Sequence, residues 1–213
     1  MSISNVSMVD DYLTSIKDAS FAVPDDMVSR ARKILQNAGM ELCSEFKCIV
    51  VKVRSRPPPV SHFHLDTKDV HIYLYPQSQV LPNVSDLRTA EAQEQLISAS
   101  DPSLPRSRIG YGKGAFESES SCVRVPSISC FVEACLVNFV RQARKKDWTC
   151  SHDLHYMGWI TYVTEYVYPR GYLDLDSLRP VFREFLLDAF IKNTSNITAS
   201  FGAARDKLVA SEI

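Results

Sequence analysis

Three histidines and two aspartates fall within residues 62–71 of the stretch VRSRPPPVSHFHLDTKDVHIYLY, residues 53–75. On a strand, His62, His64 and Asp66 share one face, because alternate side chains point the same way. Two imidazoles and a carboxylate are reasonable zinc or iron chemistry. His71 has the other parity and joins them only if Asp66-Thr67-Lys68 turns the chain, which is turn-like composition. A structural zinc takes four protein ligands and a catalytic one takes three plus water, so His62 and His64 need partners. The run CSHDLH offers Cys150 and His152, with His155 one helical turn further on. Polar histidines on the solvent face of a sheet edge account for the same residues without an ion. We therefore assign no metal ligands and expect no cofactor.

Nucleophilic catalysis asks for an activated thiolate and backbone donors to an oxyanion. Cys130 and Cys135 lie in an amphipathic helical stretch, where buried thiols are inert packing, and acidic neighbours around Cys122 in ESESSCVRV oppose its ionisation. Cys150 with His152 is the remaining pair, and we assign no catalytic residues. The glycine run IGYGKGAF lacks the apolar strand and the Lys-Ser/Thr of a P-loop, and it fails the dinucleotide spacing. It is read as a linker.

Charge and aromatic residues carry a stronger signal. Residues 106–146 hold eight Lys or Arg against three Glu, a local excess of +5 in a chain whose formal net charge is −1. Cations neutralise phosphates and exposed rings stack on unpaired bases. Arg106, Arg108, Lys113, Arg124, Arg141, Arg144, Lys145, Lys146 and Trp148 are therefore the expected nucleic-acid-binding residues. A cluster of aromatic residues follows from Tyr156 to Tyr172, although Trp159, Tyr162 and Tyr166 recur at helical spacing and also suit a core.

The elements that must position these residues follow from periodicity. The first forty residues read as helical: VDDYLTSI, then DDMVSRARKILQNAGM with Met27, Ala31, Ile34, Leu35 and Ala38 at helical spacing and Gly39 as its end. FKCIVVKVRS (46–55) and VHIYLY (70–75) read as strands, with the extended segment RPPPVS between them. A helix is expected over residues 86–99 and a long loop over DPSLPRSRIGYGKG. Further helices are expected over residues 127–146, 152–167 and 176–192, with a last short one in the tail GAARDKLVASEI.

These elements make an α+β fold, predominantly helical: N-terminal helices, a small β element, and a C-terminal bundle of three or four helices. The expected lobes are an N-terminal helical and β lobe (1–105), a basic glycine-containing linker (106–126) and a helical bundle (127–213), all within one continuous domain if the lobes pack closely. With 213 residues, 45% apolar and 23% charged, the composition is globular. The N-terminus has no basic start or apolar run, no stretch approaches eighteen apolar residues, and the six cysteines form no CxxC pair. A cytoplasmic chain without a membrane span is expected, with its cysteines as thiols. The expected function is that of a non-enzymatic, self-associating structural protein of the virion coat, nucleocapsid or matrix type, a homo-oligomer contacting single-stranded RNA through its basic region. Two alternatives stand beside it. One is a metal- or cysteine-dependent hydrolase centred on His62, His64, Cys150, His152 and His155, and the other an adaptor presenting Pro57, Pro58 and Pro59 to a protein partner.

Overall fold

Strand alternation and helical periodicity account for most of the elements in the computed structural model, which describes residues 18–44, 48, 57–64, 71–102, 104, 123–144, 152–192 and 197–211. The architecture is α+β and predominantly helical, as the periodicity predicts. The chain divides into two units, one of residues 1–46, 59–76 and 97–125, the other of residues 47–58, 77–96 and 126–213.

The first unit is built on a four-stranded sheet. β1 (Asp18–Val23) leads through a 3₁₀ turn at Asp25–Met27 into α1 (Val28–Asn37), followed by β2 (Glu41–Leu42), β3 (Ser61–His64) and β4 (His71–Pro76). The strand order is β1-β4-β3-β2, with β1 parallel to β4 and the remaining pairs antiparallel. Phe63, Ile72 and Leu74 share one face of the sheet, and Ala31 and Leu35 of α1 pack against them with Met40, Leu42 and Val23. The sharp exit from α1 makes this possible. Gly39 takes φ 84°, the Gly39 N–H donates to Gln36 O, and the Met40 N–H donates to Leu35 O. This paired arrangement returns the chain onto the sheet with Leu35 and Met40 in the same apolar cluster.

The expectation of helix throughout the first forty residues is corrected at DASFAV, which is strand β1. Phe and Val favour a pleated surface, and Val23 precedes a proline that excludes helical geometry. Its partner β4 lies about fifty residues on, a pairing no local pattern reveals. The expected helix at VDDYLTSI and most of the expected strand at 46–55 lie outside the described residues.

The second unit opens with two short helices, α2 (Gln77–Val80) and α3 (Ala90–Glu94). The helix expected over 86–99 is thus cut short. Thr89 caps its start by accepting the Ala92 N–H, and Leu96–Ser98 form β5, paired with β6 (Arg124–Pro126), a ladder whose residues 97, 98, 124 and 125 count with the first unit. Strand pairing wins there over a weak helical stripe. Buried Gln77 organises the intervening loop: its amide donates to the carbonyls of Val84 and Ser85 and accepts the Leu87 N–H at 3.0 Å.

Four helices make the C-terminal bundle: α4 (Ile128–Ala143), α5 (His152–Tyr162), α6 (Pro180–Leu186) and α7 (Ile197–Ala210). Ser127 caps α4, and the helix is buried on most of its circumference, with Leu136 and Phe139 at its centre. α5 and α6 each continue into a π turn, at Val163–Val167 and Leu187–Ile191. Phe182, Phe185 and Leu186 of α6, Ile160 of α5 and Leu208 of α7 complete the core with α4. Among the described residues no helix is long and apolar enough to cross a membrane.

Glu133 ties two of these helices together. Its carboxylate accepts the Arg179 backbone N–H at 2.7 Å and the Arg179 Nε at 2.9 Å, standing in for the N-cap that α6 lacks. The Arg179 guanidinium also lies 4.2 Å from the centroid of the Phe182 ring. Glu133→Ala should therefore lower stability by about 1–2 kcal/mol, with Glu133→Gln retaining part of it, both measured by urea unfolding.

Candidate functional site

The reversal between β3 and β4 decides which histidines meet. The strands are antiparallel, with His64 opposite His71 and His62 opposite Tyr73, so all four side chains occupy the face turned away from α1. The parity argument that set His71 apart treats residues 62–71 as one strand, whereas face membership across a hairpin follows the register. The rings form a continuous array: His62 and His64 have centroids 5.4 Å apart, His64 and His71 4.7 Å, and His71 stacks on Tyr73 at 5.9 Å. Asp66 lies outside the described residues.

Cys43 joins this face because the β2–β3 ladder extends one residue past β2. Leu42 pairs with Phe63 toward α1, and the Cys43 N–H donates to His62 O at 3.1 Å, which turns the thiol toward the imidazoles. The Cys43 sulfur and a nitrogen from each of His62 and His64 lie within 4.8 Å of one another. Cys48 is buried, and its sulfur falls within the same 4.8 Å of these donors. His62 is buried and His64 and Cys43 half-buried. Two sulfurs and two imidazole nitrogens form a borderline-soft donor set of the kind that zinc takes.

The sequence suggests other partners for these histidines, Cys150, His152 and His155. The Cys150 and His152 side chains lie outside the described residues, and His155 accepts the Trp159 indole N–H at 3.3 Å within α5. A sequence signal for the thiols exists in Cys43-x₄-Cys48 followed by His62-x-His64. It escapes a search confined to CxxC, and the His-x-His half departs from helical ligand spacing because on a strand the next side chain on the same face is two residues away.

Of the nine expected nucleic-acid-binding residues, Arg106, Arg108, Lys113, Lys145, Lys146 and Trp148 lie outside the described residues. Arg124 is exposed on β6. Arg141 donates to Ser78 O at 3.2 Å. Arg144 donates to Val209 O through Nε at 3.1 Å and Nη2 at 2.9 Å, and also to Ser211 O. Its guanidinium thus caps the carbonyl end of α7, where a cation is favoured by the helix dipole. Both arginines serve the fold of the second unit.

The remaining candidates carry ordinary structural roles. Burial, only partly offset by a hydrogen bond from Asn83, pushes the Cys130 thiol up to about 11, and complete burial raises Cys135 as well. Neither is an activated thiolate at neutral pH. Pro57 is buried and the Pro58 carbonyl accepts the Gln79 amide at 3.0 Å, so the proline segment presents less surface than a free adaptor ligand. An open groove of about 550 Å³ beside α6 is lined by Asp174, Asp176, Arg183 and Glu184, with Arg183 already paired to Asp176 at 2.7 Å.

Arg144→Glu should weaken the α4–α7 tether by about 1 kcal/mol, a fall of about 2–4 °C in thermal midpoint read by circular dichroism. Arg144→Lys should recover only part of this, because an ammonium lacks the planar fork that reaches two carbonyls. No protein-family model, curated protein or solved structure matches this chain.

Proposed function

We propose that the chain is a non-enzymatic structural protein that associates with further copies of itself through the β1 edge of its first unit. The observation carrying this reading is the character of that edge. β1 ends the sheet, and among the described residues no strand pairs with its outer side. Its sequence, DASFAV, contains neither the lysine nor the proline with which sheet edges are commonly protected. Ala19, Ser20 and Phe21 are exposed, Phe21 to 45% although it shares the apolar face with Leu74. Four of the five large apolar side chains exposed among the described residues, Phe21, Ile34, Val60 and Val123, belong to this unit. A sheet edge without a described partner strand, flanked by apolar side chains, favours pairing with another strand.

Contact with single-stranded RNA through the basic region is the second half of the proposal. Arg141 and Arg144 donate to backbone carbonyls of the second unit while remaining exposed, and each keeps its positive charge. The contact rests on Arg124, exposed on β6, and on Arg106, Arg108 and Lys113, which precede it in the sequence.

Light scattering coupled to size-exclusion chromatography tests the association. The wild-type protein should run as an oligomer whose mass rises with concentration, and the double substitution Ser20→Lys with Phe21→Lys should weaken assembly by at least about tenfold, since facing like charges oppose pairing. A wild-type monomer at all concentrations would refute the edge assignment. For RNA, replacing Arg106, Arg108, Lys113 and Arg124 together by Glu should remove co-purifying nucleic acid, read from absorbance at two wavelengths, while the circular dichroism spectrum stays unchanged. Undiminished retention would remove the RNA half of the proposal.

A further inference from the structure

We infer that Cys43, Cys48, His62 and His64 bind one zinc ion as a closed, structural S₂N₂ site. This is independent of self-association and of RNA contact. Four donors at 2.0–2.3 Å from a tetrahedral ion stand about 3.3–3.8 Å apart, and the donors here already fall within 4.8 Å of one another, so closure requires a movement of about 1 Å. Rotamer adjustment on a fixed backbone supplies that much.

The convergence is built in at three levels. His62 and His64 are successive same-face positions of β3, and Cys43 is brought opposite His62 by a ladder hydrogen bond. Cys48 follows Cys43 by five residues, a spacing long enough to turn back and short enough to hold both sulfurs on one ion. Neither thiol is in a disulfide. The donor types also agree with the location. Cysteine is among the most commonly buried residue types, but a buried histidine beside two thiols and a second histidine is poor packing chemistry and good ligation chemistry.

Among the described residues, the apolar cluster beneath α1 has three buried side chains, Phe63, Ile72 and Leu74. Small sheets with so little buried apolar surface are commonly completed by a metal or a disulfide. An ion at this position would join the end of β2 to β3 and close the intervening segment, so that metal binding contributes directly to folding. His71, with its ring 4.7 Å from that of His64, lies beside the four donors and outside the set. Two thiolates and two imidazoles fill a tetrahedron, which leaves no coordination position for water and makes the ion structural instead of catalytic.

The full-length protein, purified in reductant without added metal, should hold about one equivalent of zinc by elemental analysis. Stripped with chelator and titrated with cobalt(II), it should develop the intense visible bands of tetrahedral cobalt together with a thiolate-to-cobalt charge-transfer band. Chelation should lower the thermal midpoint and zinc restore it. Cys43→Ser, Cys48→Ser, His62→Ala and His64→Ala should each weaken cobalt binding by more than about tenfold, while His71→Ala and Cys130→Ser keep the wild-type spectrum. Absence of both zinc and a charge-transfer band in the wild-type protein overturns the site, a readout that holds even where a ligand variant fails to fold. Cys48→Ser with wild-type affinity and spectrum overturns the closed four-ligand assignment, and loss with His71→Ala but not with His64→Ala overturns the choice of His64.

Discussion

The antiparallel register of β3 against β4 is the constraint on which the first unit depends. Pairing Phe63 with Ile72 and His64 with His71 gives the sheet two chemically distinct faces. One face is apolar and accepts Ala31 and Leu35 of α1, and the other collects three imidazoles and two tyrosines. A slip of one residue would put histidine under α1 and phenylalanine among the polar side chains, so burial itself holds the register. The glycine-terminated end of α1 serves the same arrangement by returning Met40 to the apolar cluster and leading directly into the strand that carries Cys43.

In the second unit the corresponding role falls to α4, a helix buried around most of its surface. Its few polar groups are consequently committed. Asn138 reaches the carbonyl of Val80, Glu133 accepts from Arg179 at the start of α6, and Arg144 closes the end of α7. Thr164 meets a similar demand by donating to Ile160 O where α5 widens into its π turn. Charged side chains thereby serve helix ends, where unsatisfied carbonyls and amide groups concentrate.

The aromatic residues of α5 follow the same logic. Tyr156 is buried, Trp159 packs edge-on against Phe131, and Tyr162 lies against Tyr166 with centroids 5.2 Å apart. Tyr172, beyond the helix, remains 40% exposed. Tyr156 thus belongs to the core with Ile160 and Val163 and Trp159 packs against it, while Tyr162 and Tyr166 stay half-buried outside that cluster.

Elements whose signal is local could be read from the sequence. The run from Ile128 to Ala143, the helix ending at Gly39 and the strand at His71–Pro76 follow from apolar period, capping and β-branched or aromatic content within a few turns of chain. His62 and His64 were legible as candidate ligands for the same reason, since alternation along one strand needs no knowledge of its neighbours. Tertiary structure alone decided β1, whose partner is remote, and β5, where pairing interrupts a weak helical pattern. It also brought Cys43 to the two histidines, because a ladder hydrogen bond and a hairpin register, neither encoded in spacing along the chain, determine which donors share a face.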